Sequence, residues 1–258
     1  MKIYCNLKSF FFALILFISF FFNNYLLAEM PAEKNAKEIL GKVKSTYNNL
    51  QTYKDSGIVN LDNTLKIDHL ENDKQEFKTY YIKPDLFLFR WVNYSNMIST
   101  KTLKPVTRQD FNTILANGNN IFSFYTYKQE PLAELTNEPS IREAIVYSLG
   151  LTYGSCGAIP SLVFEDLNKS LDPITDLVDP ILSIDENIEG KKCFHIVGRH
   201  PVSGNELHLW IERDDYLIRK IKKILKNGIV EITYKDIFVN IDIPIDIFSM
   251  SICIENDP

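Results

Sequence analysis

The hydrophobic pattern of this chain changes period after one helix, and that change limits what it can fold into. Ala36, Ile39, Leu40, Val43, Tyr47 and Leu50 share one face at about 3.6 residues per turn, which predicts an amphipathic helix over Glu33–Leu50. Beyond it the period becomes two. Strands are predicted at Gly57–Leu61, Gln75–Ile82, Asp85–Asn93, Phe111–Ala116 and Ile121–Tyr127, with Asn117-Gly118 as the turn before the last. Ser140-Ile141-Arg142-Glu143 fits a capping box and predicts a helix from Ser140 to Leu151; a break at Gly154–Gly157 and a shorter helix over Pro160–Asn168 follow. Period two then returns in Ile181–Ile188, Lys192–Arg199, Glu206–Glu212, Leu217–Leu225 and Ile229–Asn240, with Asn227-Gly228 as a hairpin turn. Strands joined by turns this short pair antiparallel. No repeat or Pro/Gly/Ser-rich linker divides residues 29–258, so they read as a single α+β domain, a large curved antiparallel sheet with helices on one side.

Residues 1–28 read as an export signal. Met1–Lys8 is short and cationic, Ser9–Phe22 is apolar, and Ala28 is a small residue ahead of Glu29. The apolar run falls short of the roughly 18 to 20 residues that span a bilayer, and Asn23-Asn24 interrupts it. Cleavage before Glu29 would release a soluble protein, periplasmic or otherwise exported; an uncleaved anchor is the other reading. Cys5 precedes the apolar run and is not placed for lipid attachment. Cys156, Cys193 and Cys253 remain, an odd number for an oxidising compartment. The expectation is one disulfide, Cys156 with Cys193, while three buried thiols is the other arithmetic the sequence allows.

The chain carries a formal charge of −5, and outside the signal 26 basic residues face 33 acidic ones, which argues against a nucleic-acid binder. No CxxC, HExxH or Cys/His cluster has metal spacing, so neither metal nor cofactor is expected. Tyr153-Gly154-Ser155-Cys156-Gly157 lacks the first glycine of a nucleophile elbow and reads as a helix break. Cys193 and His195 share a strand face, the spacing of a thiolate and its base, but an apolar strand makes them core positions first. Asp214-Asp215 reads as a turn. Arg219, Lys220, Lys222 and Lys223 form a basic run that alternates to both faces of a strand, which favours a solvated strand over an electrostatic patch for anionic headgroups. The chain is therefore expected not to be an enzyme.

What the sequence offers instead is an aromatic face. Phe77, Tyr81, Phe87, Phe89 and Trp91 fall on one side of two consecutive strands, while Tyr80, Ile82, Leu86 and Leu88 make the other side apolar too. Such a face is either plain core beneath the helices or the wall of a concavity for an acyl chain.

Lys83-Pro84-Asp85-Leu86-Phe87 with Phe89 and Trp91, followed by Asn117-Gly118-Asn119-Asn120-Ile121-Phe122-Ser123-Phe124, resembles the lipoprotein-carrier superfamily of the bacterial periplasm, the outer-membrane lipoprotein-sorting LolA/LolB-like proteins. Leu209-Trp210-Ile211-Glu212, Leu217-Ile218-Arg219-Lys220 and Tyr234-Lys235-Asp236-Ile237 resemble the second half of that superfamily, most like its uncharacterised predicted-periplasmic branch. The resemblance implies an unclosed half β-barrel covered by helices and a non-enzymatic carrier that holds the acyl chains of a lipid or lipoprotein. Phe77, Tyr81, Phe87, Phe89, Trp91 and Ile121 would line the cavity, and the helix from Ser140 with the segment to Asn168 would form a lid. Family members latch that lid with an Arg; the matching residue here is Lys83, which offers a point charge in place of a planar fork. The implied partners are an acylated lipoprotein or lipid and a membrane-embedded donor or acceptor, served by a monomer. The same fold also houses periplasmic regulators, so a sensor module docking a membrane partner is the alternative.

Overall fold

Strand pairing organises the molecule. The computed structural model describes residues 32–62, 74–98, 105–118, 120–126, 134–164, 167, 171 and 173–249. The export signal, Asn168 and Cys253 lie outside the described residues. Helix α1 spans Ala32–Asn49. A first meander follows: β1 (Thr52–Asp62), β2 (Lys74–Ile82), β3 (Leu86–Ile98), β4 (Pro105–Asn117), β5 (Asn120–Thr126) and β6 (Glu134–Asn137). Three short helices come next, α2 (Ile141–Ser148), α3 (Ser155–Ala158) and α4 (Pro160–Val163). A second set of strands completes the sheet: β7 (Val178–Leu182), β8 (Glu186–Ile188), β9 (Lys191–Arg199), β10 (Glu206–Glu212), β11 (Ile218–Leu225) and β12 (Gly228–Val239).

The sheet runs β6-β5-β4-β3-β2-β1-β12-β11-β10-β9-β7, with β8 also on β9. Strand β12 returns to pair with β1, from Tyr53↔Val239 to Asp62↔Ile229, and so joins the two meanders into one surface. The end strands β6 and β7 are not paired with each other, so the sheet curves around the helices without closing. The α+β, unclosed half-barrel architecture expected from the sequence is the one observed. Among the described residues, no helix is long and apolar enough to cross a membrane.

Several boundaries differ for local reasons. The expected strand Ile181–Ile188 is two strands, because Leu182↔Ile196 and Glu186↔Cys193 differ in register by one residue and the chain between them leaves the ladder. Strand β6 was not foreseen. The capping box is present: the Glu143 N–H donates to Ser140 Oγ at 3.2 Å. The helix expected over Pro160–Asn168 is interrupted: α4 ends at Val163 because Phe164 is extended (φ −94°, ψ 118°), and helical conformation returns at Leu167.

Helix α1 buries Ala36, Ile39, Leu40, Val43 and Tyr47 in the main core, and the Tyr47 hydroxyl accepts from the Ile218 N–H at 3.0 Å, tying the helix to β11. Across the sheet, Leu88, Leu115 and Phe124 form a second cluster under a 3-10 turn at Ile245–Phe248, with Ile243 and Phe248. That turn explains why both faces of β2 and β3 are apolar. On the concave side the Phe77 ring lies directly over Gly57, where a Cβ would stand 2.1 Å from the ring. Gly57→Ala must therefore push Phe77 out of place, and thermal denaturation should show a loss of about 1–3 kcal/mol; an unchanged melting temperature would show that the ring shifts freely.

Candidate functional site: a cavity beneath the helical cover

A cavity of about 420 Å³ interrupts the core where the short helices meet the second half of the sheet. Leu149, Gly157, Ala158, Leu171 and Ile174 wall it from the helical side, and Leu207, Lys223, Leu225 and Val230 from β10, β11 and β12. Two registers bring the sheet wall together: Leu207 sits opposite Lys223, and Lys223 opposite Val230. His200, Ser203 and Asn205, around the turn that precedes β10, add polar groups. The volume lies within the roughly 300 to 1,000 Å³ of ordinary small-molecule pockets.

Two glycines set the shape of the cavity. A Cβ on Gly157 would stand 2.6 Å from Leu149 Cδ2, so glycine is what lets α3 lie against the end of α2. Gly154 has φ +81°, and a Cβ there would stand 2.4 Å from Lys223 Nζ. Its backbone thus makes room for the lysine, whose ammonium donates to the Tyr153 carbonyl at 3.1 Å. Burial lowers the Lys223 pKa to about 8, and the nearby Cys156 sulfur partly offsets that effect.

The six residues expected to line a cavity are brought together, but in filled space. Phe77, Tyr81, Phe87, Phe89 and Trp91 are all buried, and Ile121 packs half-buried against the same core. Phe77 stacks on Phe89 with centroids 5.5 Å apart and meets Tyr234 edge-on at 5.6 Å. Tyr81 and Phe87 both abut the ring of Phe164, at 4.8 and 5.7 Å. None of the six is among the residues around the 420 Å³ cavity. The sequence names Lys223 within a basic run but does not place it in a cavity, although the signal for its face is present. Counting by twos from the buried Ile221 places Lys223 on the inward face.

Lys83, expected to contact the lid, is held by the first helix. Its ammonium donates to the carbonyl of Asn48, in the last turn of α1, where carbonyls lack helical partners.

The expected Cys156–Cys193 disulfide is corrected: both are free, buried thiols. Strand alternation is the reason. Phe194 and Ile196 pair with Ile211 and Leu209 on the concave face, which sends Cys193 and His195 to the outer face with Glu212 and Trp210. Cys156 belongs to the concave core, where the Thr152 hydroxyl donates to its sulfur at 3.1 Å. The sheet itself separates the two sulfurs.

Neither thiol is poised as a nucleophile. Burial pushes Cys156 up to about 12 and Cys193 up to about 11. The His195 nitrogens are both engaged, Nδ1 with Glu186 at 3.0 Å and Nε2 with His208 Nδ1 at 2.9 Å, and burial lowers its pKa. Ser155 Oγ donates to the Thr152 carbonyl at 2.9 Å.

No family model matches the chain, and no curated protein matches it. Solved structures do align with it over most of its length. One is LprF from Mycobacterium bovis, at 13% identity over 82% of this chain and 96% of that one, with a TM-score of 0.45. The lipoprotein LppX of Mycobacterium tuberculosis aligns at 12% identity over 83% and 99%, TM-score 0.43. A LolA superfamily protein from Nitrosomonas europaea aligns at 10% identity over 84% and 98%, TM-score 0.35.

Proposed function

We propose that this chain is an exported, non-enzymatic carrier that holds a lipid acyl chain in the cavity between α2–α4 and β10–β12 and passes the lipid, or an acylated lipoprotein, between membrane partners. One observation carries this reading: a ready-formed, mainly apolar cavity of about 420 Å³ lies under a cover of short helices. Burying apolar surface there at about 25 cal/mol per Å² supplies affinity without a specific polar contact. The cover suits exchange, because α3 and α4 have four residues each and segments this short open locally at a cost well below global unfolding. Phe164, which follows α4, packs edge-on against Tyr81 and Phe87 of the aromatic wall. Turning its ring away from Tyr81 and Phe87 would extend the acyl path toward Phe77, Phe89, Trp91 and Ile121, and in that opened state we place their contact with the ligand. The protonated thiols and the engaged imidazole of His195 favour binding over catalysis.

Filling the cavity tests the reading. Val230 is buried and borders it, so Val230→Trp should occupy space meant for several methylenes. At about 0.8 kcal/mol per methylene, the loss should exceed the 1.4 kcal/mol that corresponds to tenfold. A fluorescent fatty-acid probe should therefore bind the variant at least about tenfold more weakly, with cooperative unfolding retained. Equal binding by both proteins would place the ligand elsewhere and sink the proposal.

A further inference from the structure

Lys223 is an unusual lining residue for a cavity that needs only to bury hydrocarbon. Of the four basic residues on β11, three have carboxylate partners: Arg219 with Glu212 and Asp215, Lys220 with Glu231 at 3.1 Å, and Lys222 with Glu231 at 3.8 Å. Lys223 has none among the described residues, and no Asp or Glu is found among those that line the cavity. Its hydrogen-bond partner is the neutral carbonyl of Tyr153. A half-buried ammonium without a counter-charge is costly unless an anion completes the site. Apolar walls on both sides say what that anion is attached to.

We infer that the cavity takes a single-chain amphiphile with an anionic head, its carboxylate or phosphate oxygens accepting from Lys223 Nζ and its hydrocarbon lying between Leu149, Leu171, Leu207 and Val230. This rests on the carrier reading and narrows its ligand class. A methylene occupies somewhat less than the ~30 Å³ of a water molecule, so the cavity suits one chain of roughly a dozen to sixteen carbons. Lipoprotein acyl groups are joined through neutral esters and amides and would leave the ammonium unanswered. The head is placed by Gly154: without a side chain there, the ammonium remains accessible beside the Tyr153 carbonyl. Around Lys223 the titratable groups are Tyr153 and His200, which line the cavity, and the nearby Cys156 thiol. Burial pushes the Cys156 thiol up to about 12 and brings the Lys223 ammonium down to about 8, so Lys223 loses its charge across pH 7 to 9.5.

The experiment compares palmitate, palmitoyl lysophosphatidate and the neutral hexadecanol on the full chain and on Lys223→Met, by displacement of a fluorescent probe at pH 7. The parent should bind the two anionic compounds at least tenfold more tightly than hexadecanol, and Lys223→Met should remove that difference by weakening both anions. Whichever anion binds more tightly identifies the head as carboxylate or phosphate. A second measurement needs no variant: the preference of the parent for palmitate over hexadecanol should disappear as pH rises through about 8 to 9.5. Equal binding of all three compounds by the parent, or a preference unchanged in the variant and at pH 9.5, would overturn the inference and leave the carrier reading standing. Failure of all three to bind would overturn both.

Discussion

Phe89→Ala is expected to lower the free energy of unfolding by about 3–5 kcal/mol, as truncation of a buried Phe does when the site cannot collapse. Phe89 is 0% exposed on the concave face of β3, opposite Thr79 on β2 and Ile114 on β4. Its ring stacks on Phe77 and lies 5.6 Å from that of Trp91. Neither neighbour can move in to fill the gap. Phe77 is seated over Gly57 and against Tyr234, and Trp91 is 1% exposed on the same strand. Phe89→Glu should be worse, because a carboxylate would be buried there without a partner. Urea denaturation of Phe89→Ala decides between two states of the aromatic wall. A loss below about 1 kcal/mol would mean that the wall is already open in solution and that Phe89 faces a ligand space in the resting protein. The full loss means that the wall is core until the helical cover moves.

This division between wall and cavity marks where the sequence ceases to be legible. Alternation in Phe77–Trp91 identifies the inward face correctly, and the register Phe77↔Trp91 and Tyr81↔Phe87 confirms the pairing. Periodicity says which way a side chain points, but not what fills the space opposite. That depends on Phe164 and Tyr234, which are distant in sequence. The second apolar face of β2 and β3 is similar, since its cover comes from the turn at Ile245–Phe248. The Cys156–Cys193 expectation failed on counting thiols without asking which face of β9 Cys193 occupies. Turn chemistry was legible to within one residue. Asn117 pairs with Asn120, and Leu225 with Gly228, so each turn begins one residue away from the expected Asn-Gly position. Lys223 was readable from alternation alone; that no described residue gives it a carboxylate partner required the whole sheet.

A buried carboxylate predicts the other large effect. Asp55 faces the concave core from β1, 1% exposed, accepting from the Tyr53 hydroxyl at 2.6 Å and the Thr79 N–H at 3.1 Å. Burial raises its pKa from 3.8 to about 7, and the hydrogen bonds from Thr79 and Tyr53 offset only part of that. The folded protein therefore holds this proton more tightly than the unfolded chain does. Stability linked to Asp55 is fully present below pH 4 and is lost as pH rises through about 7, the reverse of a salt-bridged carboxylate. At about 1.36 kcal/mol for each tenfold change in proton affinity, the loss is about 4 kcal/mol. Asn is nearly isosteric and carries no charge: its Oδ1 can accept from Thr79, and its amide can donate to Tyr53. Asp55→Asn should match the parent near pH 4 and exceed it by roughly 3–4 kcal/mol at pH 8, with the gap opening between those values. Because Glu212, Asp215 and His195 titrate alike in both proteins, the difference between their denaturation curves isolates Asp55. Parallel curves across that range would show that Asp55 is ionised in the fold at pH 4, and that water or a ligand group reaches the half-barrel floor between Tyr47, Tyr53 and Tyr234.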